Sequence, residues 1–238
     1  MHTGRIPCFF DKQTIFISDI MSFDIRTNLR NNKTYFIFSS VMLIAGLAFL
    51  LIFGKEQSFL MLNAFHTQPL DVFVTYYTHL GDGYFSVFMV VLLYILQRRT
   101  LAIAVLLSFL LSGVLAQILK KNFSMPRPRV VFDASVYNNF IEGVTVTGHH
   151  SFPSGHTATA FALVFTMLLF MKSNWSKWGL VFLAFGVAYS RVYLGQHFLS
   201  DVIAGASIGM LCGYLSARWG WQISNKKAIV KQKPIFIN

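Results

Sequence analysis

The sequence predicts an all-α protein, a six-helix transmembrane bundle with an interfacial segment between the first two spans. Three observations predict it. Apolar runs of membrane length recur along the chain, and 55% of its 238 residues are hydrophobic. Charged residues make up only 12%, against about 25% in soluble proteins, and mean hydropathy is +0.56. Basic residues collect at the ends of the apolar runs, where they anchor and orient helices.

A hydrocarbon core about 30 Å thick takes roughly 20 apolar residues as a helix, with about 17 a practical minimum. Residues 35–53 meet this cleanly. Residues 83–97 are shorter and extend back through 76–80. A third span, 100–119, is parted from the second only by Arg98 and Arg99. Residues 156–171, then 178–189 (extendable to Tyr193), then 198–219 complete the set. Short spans are tolerated where neighbouring helices or local thinning compensate.

Two regions outside the spans stand out. Residues 54–82 scatter Phe59, Leu60, Phe65, Phe73, Tyr76 and Tyr77 among polar residues. That pattern fits an interfacial helix on the outer leaflet or a packed re-entrant turn. Residues 120–150 form a long polar loop with Pro126 and Pro128, and loops of that length are usually functional or disordered. The domain plan is therefore a cytoplasmic tail (1–34), a membrane domain (35–219) and a basic cytoplasmic tail (220–238).

Six spans put both termini on one side. With the termini inside, the cytoplasmic segments hold Arg5, Lys12, Arg26, Arg30, Lys33, Arg98, Arg99, Lys172, Lys177, Arg218, Lys226, Lys227, Lys231 and Lys233. The outer segments hold only Lys55, Lys120, Lys121, Arg127, Arg129 and Arg191. The positive-inside rule selects this orientation. It also accounts for the net charge of +11, so the expected partner is the lipid bilayer and not nucleic acid. Oligomeric state is left open.

Cys8 and Cys212 form no ligand-spaced pair, so neither a disulfide nor a zinc–thiolate site is expected. Asp11, Lys12 and Asp19 interrupt residues 6–23, which therefore read as a tail and not a signal peptide. Met21, just before Arg26, Arg30 and Lys33, is an alternative translation start that N-terminal sequencing would settle.

Three polar clusters fall in the outer loops that bracket spans three to six. They are Lys120 with Met125-Pro126-Arg127-Pro128, then Ser151-Phe152-Pro153-Ser154-Gly155-His156, then Ser190-Arg191 with His197 and Asp201. Lys120, Arg127 and Arg191 are cations on three segments at one membrane depth. Singly, each is an ordinary interfacial anchor. Converged, they repel one another unless an anion lies between them, and a phosphoryl group suits the bidentate Arg and the compact Lys.

Ser154 is a good helix cap, Gly155 permits close backbone approach, and an apolar span follows directly. A helix start of that kind offers free N–H groups to an anion. His197 and Asp201 are four residues apart and share a helix face. A carboxylate on one ring nitrogen fixes the tautomer and leaves the other nitrogen as a lone-pair nucleophile. The same register continues through Gly205, Gly209 and Gly213, small residues that let another helix approach closely. Ser112 and Ala116 make a shorter stripe leading to Lys120.

Together, Lys120-x6-Arg127-Pro128, Pro153-Ser154-Gly155-His156 and Ser190-Arg191-x5-His197-x3-Asp201 resemble the three-part signature of the type 2 phosphatidic acid phosphatase superfamily, shared with vanadium haloperoxidases. Every motif position matches, in order and spacing. The resemblance implies a metal-independent membrane lipid phosphatase with no cofactor. It implies that His197 is the nucleophile, oriented by Asp201, and that His156 is the general acid, later the general base for water. Lys120, Arg127, Ser154, Gly155 and Arg191 would hold the phosphate oxygens.

His197 must then be neutral and His156 cationic before reaction, which predicts a bell-shaped pH profile. The implied substrates are phosphatidic acid, phosphatidylglycerophosphate, undecaprenyl pyrophosphate or lipid A phosphates, in a bacterial inner membrane with the site facing the periplasm. Transfer of the phosphoryl group to a second lipid would use the same residues, and a transporter or lipid-binding protein with an inactive site is a third reading. A metal site built from Glu142, His149, His150, His156, His197 and Asp201 competes, but three nearby cations would repel the metal. His149 and His150 read as loop residues.

Overall fold

A computed structural model describes residues 25–231. The expectations for Cys8, for residues 6–23, for a start at Met21 and for residues 232–238 lie outside the described residues. Within them the chain is helix and connecting loop, with no strand.

The helices are α1 (Ile25–Leu62), α2 (Gln68–Tyr77), α3 (Gly83–Ile95), α4 (Arg99–Asn122), the single turn α5 (Pro128–Val131), α6 (Gly155–Leu168), α7 (Asn174–Tyr193) and α8 (Leu199–Lys231). Each predicted span lies within one of them or overruns it by no more than three residues, except the 76–80 extension of the second, which lies in α2 and the turn after it. Helices α1 and α8 overrun the expected domain boundaries, since α1 starts at Ile25 and α8 continues to Lys231.

Three helices (α1, α4 and α8) are long and apolar enough to cross a membrane alone, and a fourth crossing arises if α2–α3 counts as one bent span. The described residues thus hold three or four spans by length and composition, and the expected count of six is not confirmed. Helix α6 has 14 residues, about 21 Å at 1.5 Å per residue. It is buried along nearly its whole length, so protein and not lipid surrounds it, and its length need not match the hydrocarbon thickness. Helix α7 is less apolar because its ends carry Asn174, Lys177, Ser190 and Arg191.

Helix α6 is the centre of the bundle, packed between α8 and α4, with α7 on a further side. Its seam with α8 is set by the small-residue stripe. A methyl group added to Gly205, Gly209 or Gly213 would lie 2.5, 2.5 and 2.9 Å from the carbonyl oxygens of Ser154, Ala158 and Ala162. Glycine is required there by backbone approach. Because the stripe begins one turn after Asp201, the seam holds the start of α8 against the start of α6.

The segment between the first two spans is divided. Gly54 (φ 76°, ψ 171°) breaks α1 in a conformation that favours glycine. The following turns place Phe59 under Phe132, Tyr137 and Phe198, all within 5.5 Å between ring centroids. Phe65, Phe73 and Tyr76 stay exposed as an interfacial segment would leave them. The turn Thr78–Gly81 is instead tucked into the bundle, with Thr78 buried and Gly81 against the His156 backbone. Both readings of this region therefore apply, each to one end of it.

Candidate active site

Every predicted site residue lies at one end of the bundle. Lys120 is in the last turn of α4, Ser154 caps α6, Arg191 is in the last turn of α7 and Asp201 is in the first turn of α8. The α7–α8 connection is short, and Gly195 (φ 63°) turns it. The amides of Gln196 and His197 both donate to the Arg191 carbonyl at 3.1 Å, so His197 is fixed beside the arginine. The Ser154 amide donates to the Asp201 carbonyl at 2.9 Å, tying the α6 cap to α8.

His197 is buried, 2% exposed. Its Nδ1 is 3.5 Å from Asp201 Oδ2, longer than a good hydrogen bond. Ser151, fully buried, fills the gap. Its hydroxyl donates to Asp201 Oδ2 at 2.5 Å and lies 3.4 Å from His197 Nδ1. The Phe198 amide (3.0 Å) and the Ser200 hydroxyl (3.1 Å) also donate to this carboxylate. His197 Nε2 has no hydrogen-bond partner among the described residues. His197 sits in the loop before α8, and burial holds its proton affinity well below the ordinary histidine range. The nearby Arg191 and Arg127 charges add to this, while Asp201 opposes it.

Lys120, Arg127 and Arg191 lie close enough to feel one another's charge, and His156 and His197 both feel Arg191. No carboxylate pairs directly with any of the three among the described residues. Arg127 donates to the carbonyls of Gln196 (2.9 Å) and His150 (3.4 Å). Arg191 donates to Thr78 Oγ1 at 2.9 Å and to Gln196 Oε1. Its Nε is buried with no partner, a donor left unused where an unpaired donor is costly.

Gly155 faces the same space. A methyl group there would meet only Lys120 Nζ, at 3.7 Å. The Ser154 oxygen accepts from the Thr157 hydroxyl (2.9 Å) and amide (3.4 Å), which leaves the Ser154 proton free to donate. The end of the bundle therefore presents three cations, a capped helix start and a buried imidazole with one free nitrogen around a common space. Such an arrangement can bind a tetrahedral anion and attack it.

Three contributing residues were not assigned a role from sequence. Ser151 stood in the second cluster, and only the fold shows it between His197 and Asp201. Gln196 serves both arginines and anchors its own Nε2 on the Val144 carbonyl at 2.9 Å. Thr78 had no local signal, since it is separated from Arg191 by 113 positions. Glu142, His149 and His150 are exposed and lie on the loop; the His150 ring lies 3.3 Å from the Lys120 carbonyl, and its own carbonyl accepts from the Arg127 guanidinium. The described residues contain no group of three or more His, Cys, Asp or Glu side chains placed to hold a metal.

The fold and this site define a membrane-embedded helical protein built to handle a phosphate-like anion. The chain belongs to the PAP2 superfamily, whose profile matches residues 101–224. It is 37% identical over 133 residues to the lipid A 4'-phosphatase of Porphyromonas gingivalis, covering 50% of this chain and 52% of that protein. It is 28% identical over 196 residues to the undecaprenyl-diphosphatase of Sulfolobus acidocaldarius, covering 77% of this chain and 90% of the relative. Among solved structures it resembles Aquifex aeolicus LpxE, with 34% identity, a TM-score of 0.62, and coverage of 69% of this chain and 94% of that one. The match thus spans about half the length of the Porphyromonas relative and nearly all of LpxE.

Proposed function

We propose that this protein is an integral membrane lipid phosphatase that works through a phosphohistidine on His197. The observation that carries the reading is the convergence of Lys120, Arg127, Arg191 and the α6 start on a buried imidazole whose Nε2 is free. Family membership and relatives named as lipid phosphatases support it.

The chemistry follows from the geometry. Phosphoryl transfer asks chiefly for positioning and charge stabilisation. Lys120, Arg127, Arg191, the Ser154 hydroxyl and the Gly155 amide hold the phosphate oxygens. The Nε2 lone pair of His197 forms an N–P bond while the P–O bond to the lipid breaks, and His156 gives its proton to the departing oxygen. Water then returns a proton to His156 as its oxygen attacks phosphorus. The N–P bond breaks, its electron pair returns to Nε2, and phosphate leaves. Asp201 holds the His197 ring and balances the positive charge of the intermediate.

Two substrates are proposed: a phosphate of lipid A, supported by the Porphyromonas similarity, and a polyprenyl pyrophosphate, supported by the longer Sulfolobus alignment. The positive-inside rule places the site on the outer face, the periplasmic face in a bacterial inner membrane, at headgroup level. The test is phosphate release by purified protein from lipid A, undecaprenyl pyrophosphate, phosphatidic acid and phosphatidylglycerophosphate, beside His197→Ala. Release by the wild type and none by the variant is expected; no release from any lipid sinks the reading. Label recovered on a second lipid in place of free phosphate would make the enzyme a transferase.

A further inference from the structure

The His197–Asp201 contact is long and is not the sole contact to Nδ1. The two groups are 3.5 Å apart, and Asp201 Oδ2 is already engaged by the Phe198 amide at 3.0 Å and the Ser151 hydroxyl at 2.5 Å. Ser151 is on the loop before α6, is fully buried, and has its oxygen 3.4 Å from His197 Nδ1. Its own amide donates to the Met125 carbonyl at 3.0 Å, so the backbone that carries it is tied to the Lys120–Arg127 loop.

We propose that Ser151 is a positioning residue for the reaction, a hydroxyl bridge through which Asp201 sets the tautomer and orientation of His197. The proposal rests on the phosphohistidine reading. A hydroxyl has one proton to give and two lone pairs to offer. The 2.5 Å contact assigns the proton to Asp201, because an ionised carboxylate can only accept. The oxygen facing Nδ1 is then an acceptor, so Nδ1 must carry the hydrogen. An imidazole protonated on Nδ1 keeps its lone pair on Nε2, the nitrogen without a protein partner. The two contacts to Nδ1 are similarly long, 3.4 Å from the Ser151 oxygen and 3.5 Å from the carboxylate, so the ring is held by both acceptors together and loses one of them without the hydroxyl. The Ser151 backbone amide ties the same residue to the loop bearing Arg127, so one residue connects the phosphate-binding loop to the proposed nucleophile.

The experiment compares Ser151→Ala, Ser151→Cys and Ser151→Thr with wild type in detergent, using a lipid phosphate that the wild type hydrolyses. Removing the hydroxyl should lower kcat tenfold to a hundredfold with KM within about threefold. Ser151→Thr, which keeps the hydroxyl, should recover most of the loss. Ring ¹⁵N chemical shifts of histidine-labelled protein should show one His197 tautomer in wild type and Ser151→Thr, and a mixture in Ser151→Ala. A purely structural serine would not move that signature. If Ser151→Ala fails to fold, Ser151→Cys, close in size but a weak bridge, is read the same way. Unchanged kcat and an unchanged tautomer in a folded variant would overturn the proposal. Absence of activity in the wild type would instead overturn the phosphatase reading, which keeps the two failures apart.

Discussion

Of the three histidine–carboxylate pairs among the described residues, one (His79–Asp82, 3.8 Å) has an exposed histidine, and the other two are built to opposite ends. His66 Nδ1 is 2.9 Å from Asp71 Oδ1, a tighter pair than His197–Asp201 at 3.5 Å. Its other nitrogen is also engaged, by Asn63 Oδ1 at 3.3 Å and the Tyr137 hydroxyl at 3.1 Å. The ring stacks on Tyr193 at 4.2 Å, and the Tyr193 hydroxyl donates to the same Asp71 oxygen at 2.5 Å. Burial and the Asp71 carboxylate hold the Tyr137 phenol above its ordinary range, and it stays a donor. No nitrogen of His66 is left for chemistry. His197 has the looser pair, one free nitrogen and arginines for neighbours. On the proposed mechanism, what suits His197 and not His66 to attack phosphorus is the unsatisfied nitrogen and the cations near it, not the strength of its carboxylate contact.

The largest test of that difference removes each ring. His197→Ala should cut phosphate release by about a thousandfold or more, as expected for loss of a nucleophile. His66→Gln should leave kcat within about threefold and lower the thermal midpoint, because it breaks a satisfied buried network. Comparable loss of kcat in both would erase the distinction. Removing the cation beside His197 comes next. Arg191→Ala should lower kcat/KM by about a hundredfold to a thousandfold, and Gln196→Ala, which removes the side-chain partner of Arg191 but keeps the backbone carbonyl that Arg127 uses, by about tenfold.

A pH profile sharpens the comparison further. Proton uptake destroys the Nε2 lone pair, so activity falls as pH drops through the His197 pKa. Burial lowers that value, so the acid limb of kcat/KM should lie below the ordinary histidine value of about 6.5; a limb at or above it would contradict the environment described for His197. The smallest effect is on the frame. Gly209→Ala forces a methyl group to 2.5 Å from the Ala158 carbonyl and the Phe161 Cβ. It should cost about 1–3 kcal/mol, read as a lower thermal midpoint, with a smaller change in kcat.

Much of the site was legible because its residues obey local rules. Ser154 caps a helix, and the glycine stripe repeats in the register of Asp201; the expected shared helix face of His197 and Asp201 does not form, because the helix begins at Leu199 and His197 lies in the loop before it. The helices were legible from apolar runs for the same reason. What escaped were residues that act across long sequence separations. Thr78 and Arg191 carry no mutual pattern, and Ser151 resembled one more loop serine. The two ends of residues 54–82 could not be separated from sequence, because exposed and buried aromatics look alike until a neighbour is placed against them.

The sequence by itself determined that the chain is helical and that it belongs in a membrane, and it singled out Lys120, Arg127 and Arg191 as candidate anion-binding cations. These follow from composition, period and spacing, which are properties of the chain alone. Only the tertiary structure decided that α6 is shielded from lipid, that the seam runs between α6 and α8, and that Ser151 stands between the histidine and its carboxylate. The physical reason is that hydrogen bonds and close packing depend on distances between separate segments. A linear spacing fixes such distances only within one helix.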